Sequence, residues 1–240
     1  MPPVLFRAAT RSACAASAGA YVRILAWRGL WMLPAAAIAL LLLPAGIGEG
    51  TAMPTRPRPF VPAGVYSTDF RGFPKWQGMI ERFARQRDDP AGARSWRSFV
   101  DRLGGANRPA LLRSVNAAVN AVPYVTDAAN WGRTDFWETP IEFLRHGGDC
   151  EDYAVAKYMA LQALGVPVDD MRVAVVDDQE LGVTHAVLLV ADDDRYDLLD
   201  NLTDEVVQVA GPSDYRPIYA INEHGWWNYG SPPAASAAGP

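Results

Sequence analysis

Apolar and polar positions change their spacing twice along this chain. From Leu30 to Gly48 the residues LWMLPAAAIALLLLPAGIG run without a charge, and Arg7, Arg11, Arg23 and Arg28 precede them. Basic, then apolar, then small is the order of an export signal, with Gly50 and Ala52 placed for cleavage after Ala52. The run is also long enough to span a bilayer. Residues 1–52 therefore read as a signal peptide or a retained membrane anchor. In both cases the arginines hold the N-terminal side in the cytoplasm, so the expected location of the body is periplasmic. Residues 53–65 begin with MPTRPRPFVP and read as a proline-rich linker.

Beyond the linker the apolar spacing becomes helical. It predicts helices over Gly78–Gln86, Ser95–Leu103 and Pro109–Val122, the last with proline in its first turn. Tyr124–Asp135 reads as a loop, and Pro140–Arg145 as a short helix broken by His146-Gly147-Gly148. Asp149–Gly165 (DCEDYAVAKYMALQALG) carries the clearest helical signal. Asp149 suits the cap, Glu151 and Asp152 the first turn, and Gly165 the stop. Tyr153, Ala154, Lys157, Tyr158, Leu161 and Leu164 trace one side of it. The pattern then turns to short apolar runs, Met171–Val176, His185–Ala191, Tyr196–Leu199 and Ile218–Asn222, with acidic turns between them. Such connections predict an antiparallel meander. The expected fold class is α+β, with N-terminal helices packed on an antiparallel sheet. The domain is expected over residues 66–230, with a disordered tail at 231–240.

Charge divides the chain at the same place. Residues 1–60 carry six arginines and one glutamate, whereas the other 180 residues carry 16 basic and 26 acidic side chains. An acidic body argues against general nucleic-acid binding, which needs a basic surface. Of the two cysteines, Cys14 lies in the leader, so the exported body holds Cys150 alone. That count excludes a disulfide framework within the body and zinc sites of the multi-cysteine type.

Cys150 is predicted at the first position of a helix. Unpaired N–H groups and a partial positive charge at that end favour a thiolate, the reactive form, and can hold an oxyanion. His185 opens a strand and Asp200 closes the next one, so a tight turn would bring them together. An imidazole there can take the thiol proton, and a carboxylate can fix its tautomer. Each residue also has a plainer reading, as a packed cysteine, a surface histidine and a turn cap. His146 and His224 are rival bases. Most of the tryptophans are expected in the core.

The segments GGDCEDYAVAKY (Gly147 to Tyr158), THAVLLV (Thr184 to Val190), LLDN (Leu198 to Asn201) and DFWETPIEFL (Asp135 to Leu144) resemble the bacterial transglutaminase-like cysteine peptidases, the LapG-type periplasmic proteases. The resemblance covers roughly Phe70 to Trp227. It implies a papain/transglutaminase-like fold with Cys150 as nucleophile, His185 as general base and acid, and Asp200 as the orienting carboxylate. It further implies cleavage of a large surface adhesin near its N-terminus, at a pair of alanines, with release of the adhesin and dispersal of a biofilm. An inner-membrane receptor for cyclic di-GMP would sequester the enzyme, and calcium would be a cofactor, with Asp149 and Glu151 among its ligands.

Calcium also answers a conflict in the sequence. Asp149, Glu151 and Asp152 surround Cys150, and like charge raises a thiol pKa. A hard cation taking their oxygens would reverse that effect. The runs Asp177-Asp178 and Asp192-Asp193-Asp194 lack regular cation-loop spacing and read as solvated turns. Two other functions use the same fold. An amidase or acyl transferase would share the thiol chemistry, and a non-catalytic module would keep the fold only to bind a partner.

Overall fold

A computed structural model describes residues 64–193, 195–209 and 213–230. The leader, most of the linker, and the tail lie outside the described residues. No helix among the described residues is long and apolar enough to cross a membrane.

Proline and short polar side chains set where the helices begin. α1 (Pro74–Asp88), α2 (Pro90–Val100), α3 (Arg108–Asn120) and α5 (Pro140–His146) each have proline in the first turn, where its missing N–H costs nothing. Asp89 caps α2 through the amides of Ala91 and Gly92. Asn107 caps α3 through Ala110. Thr139 and Glu142 close a capping box on α5. α1 and α2 begin before the predicted helices and do not share their ends, because periodicity marks the buried stripe and not the caps. The segment read as a loop, Tyr124–Asp135, contains a one-turn helix, α4 (Asp127–Trp131), ended by Gly132 at φ 62°.

α6 (Cys150–Ala163) is the hub. It packs on the sheet on one side and on α3 and α5 on others. Every residue from Asp152 to Leu161 is buried. The one-sided stripe expected from sequence is therefore a correction: this helix is enclosed all round, and Lys157 is enclosed with it. Its alanines, Ala154, Ala156 and Ala160, allow that close approach.

Seven strands form one antiparallel sheet: β1 (Val65–Ser67), β2 (Met171–Asp178), β3 (Val183–Asp192), β4 (Arg195–Leu199), β5 (Val207–Val209), β6 (Tyr215–Ile221) and β7 (Trp226–Asn228). Their spatial order is β1-β7-β6-β2-β3-β4-β5. Pairing of Val65 with Asn228 ties the first strand to the last. β1, β5 and β7 have three residues each, too few to give a period, and sequence reading missed them. One sheet face meets the helices. The other carries Ala174, Val176, Val187, Leu189 and Ala220, against which pack Tyr196, Tyr215 and Trp227 of the sheet and Tyr229 just after β7. Arg172 lies 3.9 Å from the Trp227 ring centroid. Trp76, Trp96 and Trp137 are buried among the helices. Trp131, Trp226 and Trp227 are half-buried.

Asp178 departs from the expectation of solvated acidic turns. It is buried and accepts from the amides of Glu180 and Leu181, both at 2.9 Å. Asp192 and Asp193 are exposed.

Two glycines let α6 begin where it does. Gly147 has φ 75°, and a Cβ there would lie 2.3 Å from the Pro123 carbonyl oxygen. Beside it, the Val125 amide donates to the Gly148 carbonyl at 2.9 Å. Gly147→Ala therefore meets both a left-handed backbone and a backbone clash. A loss of about 2–4 kcal/mol is expected, read as a lower urea midpoint. Gly132→Ala, also in the left-handed region but with open space around it, should cost only about 1 kcal/mol.

Candidate active site

Cys150 is the first residue of α6 and is buried. The turn before it is fixed by Asp152, whose Oδ2 accepts from the Asp149 amide at 3.0 Å and whose Oδ1 accepts from the Glu138 amide at 2.7 Å. Sγ of Cys150 lies 3.2 Å from Glu151 Oε2. A role as nucleophile requires Cys150 in its reduced form.

His185 stands on β3, the strand on which α6 packs. It is buried, and its Nε2 lies 2.8 Å from Asp200 Oδ1. β3 and β4 pair with Leu188 opposite Leu199, so that Asp200, the residue after β4, falls within two positions of His185 along β3. Asp200 is held by two further donors. The Leu202 amide reaches Oδ1 at 3.0 Å, and the Tyr215 hydroxyl reaches Oδ2 at 2.6 Å. Burial alone would raise the Asp200 pKa, but the bonds from His185, Tyr215 and Leu202 outweigh it and hold the carboxylate below its ordinary value. A carboxylate accepting at Nε2 leaves the proton on that nitrogen. Nδ1 is then the nitrogen with a lone pair. The rival histidines lie elsewhere. His146 is exposed beside Trp131, and His224 pairs with Asp169 at 2.7 Å on the surface.

Acids crowd the start of α6 beyond those expected. Asp149, Cys150 and Glu151 offer ligand atoms within 4.8 Å of one another, and Asp127, Glu138 and Asp152 form a second such group. Asp127, Glu138, Asp149 and Asp152 are buried. Glu138 Oε1 accepts from Asn130 and from Trp131 Nε1, and Asp127 accepts from the Phe136 amide. Yet Asp127 Oδ1, Glu138 Oε2 and Asp149 Oδ1 are buried with no hydrogen-bond donor among the described residues. Burial, against the bond from Phe136, pushes Asp127 up to about 6. Burial likewise lifts Glu138 to about 7. Asp149 is raised by burial, and Glu151 and Asp152 are pushed well up by burial and by the neighbouring carboxylates. Orphaned carboxylate oxygens in a low-dielectric pocket fit a hard cation with oxygen ligands.

The family model for bacterial transglutaminase-like cysteine proteinases (BTLCP) matches residues 84–228. The chain belongs to that family. Among solved structures it is similar to calcium-bound LapG of Legionella pneumophila, at 28% identity over 66% of this chain and 92% of that one, with a TM-score of 0.50. It is also similar to EGTA-treated LapG of the same organism, at 28% identity over 63% and 85% of the two chains, again with a TM-score of 0.50. No curated protein matches the chain.

In this transglutaminase-like proteinase, sequence reading named Cys150, His185, Asp200, Asp149 and Glu151. The structure pairs His185 with Asp200 and groups Asp149 and Glu151 with Cys150. Asp127, Glu138 and Tyr215 went unnoticed. Asp127 and Glu138 are single acids among aromatic residues, with no spacing to mark them. Tyr215 lies on a strand two places across the sheet from β3.

Two outcomes follow from this geometry. Tyr215→Phe removes one donor from a buried carboxylate, a change worth about 1–3 kcal/mol. It should raise the Asp200 pKa, read by NMR titration of the His185–Asp200 pair. Second, the folded protein binds protons at Asp127 and Glu138 more tightly than the unfolded chain does. Unfolding then releases protons between the ordinary carboxylate values of 3.8 and 4.5 and the folded values of about 6 and about 7. Stability of the ion-free protein should therefore fall as pH rises through that window. Melting temperature in a chelator, scanned from pH 4.5 to 7.5, checks the direction. Added calcium should flatten the fall.

Proposed function

We propose that this proteinase is a periplasmic cysteine endopeptidase that cleaves a large surface adhesin near its N-terminus, and so controls adhesin release and biofilm dispersal. The observation that carries the catalytic part is the buried pair of Asp200 with His185, the latter on the strand that supports the helix beginning at Cys150. Removal of the leader at Ala52 takes Cys14 away and leaves Cys150 as the one cysteine of the mature chain.

In the proposed reaction Nδ1 of His185 takes the Cys150 proton. The thiolate attacks the substrate carbonyl carbon, and first-turn N–H groups of α6 hold the oxyanion. The C–N bond breaks as the imidazolium protonates the leaving amine, which leaves a thioester on Cys150. A water molecule, deprotonated by His185, then releases the acid and restores the thiol. Asp200 keeps the imidazole in the required tautomer and offsets its charge in each imidazolium state. Asp149 and Glu151, with Asp127, Glu138 and Asp152 behind them, would hold calcium. Bound there, the ion would supply positive charge that offsets the carboxylates beside the sulfur. The calcium-bound state of the similar LapG supports this assignment. The proposed regulator is an inner-membrane cyclic di-GMP receptor.

The test uses the full chain with Cys14→Ser, reduced, so that Cys150 is the single thiol. Its alkylation should titrate well below the free-cysteine value of about 8.5, and His185→Ala should move it upward. On a protein library, new N-termini should appear that Cys150→Ala abolishes and that His185→Ala slows by about a thousandfold or more. A thiol that titrates normally in both proteins, with calcium present, would overturn the peptidase. For the substrate, cells lacking the proteinase should retain a full-length surface adhesin, and wild-type cells should shed one cut near its N-terminus.

A further inference from the structure

Asp200 lies just after β4, in a segment that main-chain bonding does not hold. Among the described residues, residues 200–205 make no backbone-to-backbone hydrogen bond. Side chains take that place. Asp200 Oδ1 accepts from the Leu202 amide at 3.0 Å, and Thr203 Oγ1 accepts from the Glu205 amide at 3.1 Å. Both bonds join residues two places apart. They shape the turn, as short polar side chains commonly do, but they do not place it against the rest of the domain.

α3 supplies the placement. Its last residue, Asn120, donates from Nδ2 to the carbonyls of Asp200 and Thr203, each at 2.9 Å, and to Asp204 Oδ1 at 3.1 Å. One turn earlier, the fully buried Asn116 donates from Nδ2 to the Thr203 carbonyl at 2.9 Å. An amide nitrogen carries two hydrogens, so Asn120 divides two donors among three acceptors. That fixes its orientation, because the turned-over amide would set Oδ1 against three acceptors and no donor. α3 also packs on α6, the helix that begins at Cys150. One helix therefore braces both the helix of the thiol and the main chain of Asp200.

We infer that Asn120 is a positioning residue for the proposed reaction, its amide holding the Asp200 main chain where the carboxylate meets His185 Nε2. The inference rests on the proposed triad, and Asn120 acts through Asp200 without touching substrate. Its sign follows from the pair. A carboxylate at hydrogen-bond distance favours the imidazolium, so an Asp200 that drifts from His185 lets the imidazole lose its proton at lower pH. A weaker base in turn leaves the Cys150 thiol protonated to higher pH. Asn116 supplies the contrast, since it holds the same turn at Thr203 and makes no bond to Asp200.

The test reads the pair and the thiol directly, with iodoacetamide as the probe and no substrate. In the full chain carrying Cys14→Ser, reduced, the His185 imidazole is titrated by NMR and Cys150 alkylation is followed against pH. Asn120→Ala and Asn116→Ala are compared with the parent. Both should lower the melting temperature, since each removes a donor from the turn. Only Asn120→Ala should move the His185 titration, downward by about one unit, and carry the alkylation profile upward with it. A folded Asn120→Ala with the parent's His185 titration would overturn the inference. So would equal shifts in the two variants, which would make the turn as a whole, and not the bond to Asp200, responsible. If Asn120→Ala does not fold, Asn120→Ser takes its place under the same two criteria. A parent thiol that titrates like free cysteine would instead sink the peptidase reading, and the His185 titration would still decide the role of Asn120.

Discussion

Negative charge gathered at the start of a buried helix is the constraint around which this protein is arranged. Cys150 opens α6, and Asp149, Glu151, Asp152, Asp127 and Glu138 converge on that opening. A helix N-terminus tolerates one or two acids well, since its dipole and free amides favour them. Five exceed what one helix end offsets, which is why burial lifts these acids above their ordinary values and leaves three of their oxygens without donors among the described residues. The surrounding loop serves the same cluster. Amides of Phe136 and Glu138, the Asn130 amide group and the Trp131 indole all point inward to carboxylates.

The sheet solves the opposite problem. Its task is to bury one carboxylate, Asp200, in ionised form beside an imidazole. It does so with neutral donors, Tyr215 and Leu202, and with the partner it orients, His185. Acids at the helix start are raised and the acid on the sheet is lowered, although both are buried. The difference lies in donor supply, which is generous around Asp200 and incomplete around Asp149. One chain thus holds two carboxylate environments of opposite sign on the two layers that meet at α6 and β3.

How much of this the sequence carried depends on range. Caps, prolines and the GGDC turn act within four residues, and they located α3, α5 and α6 to within a residue or two. The α+β class followed from the change of period after Gly165. His185 and Asp200 could be linked because a short turn joins their strands. Whatever depends on several distant segments stayed hidden. Three-residue strands owe their existence to a neighbour, as β1 does to β7. Enclosure of α6 on all sides is set by α3 and α5 folding over it, whereas the sequence marked Lys157 only as the charged member of one helical side. Tyr215 reaches Asp200 across the sheet, and Asp127 and Glu138 reach α6 through a loop that carries no periodicity.

Pairing of β1 with β7 fixes where the chain enters and leaves the described domain. Whatever precedes Gly64 joins the domain at one extreme edge of the sheet, and the residues after Gly230 depart from beside it. His185 stands on β3, four strands away, a lateral offset of roughly 20 Å at the usual strand spacing. A body held by its N-terminus would hang from that edge like a gate from its post. His185 would lie well away from the point of attachment, and the length of the attachment would set the radius it can sweep.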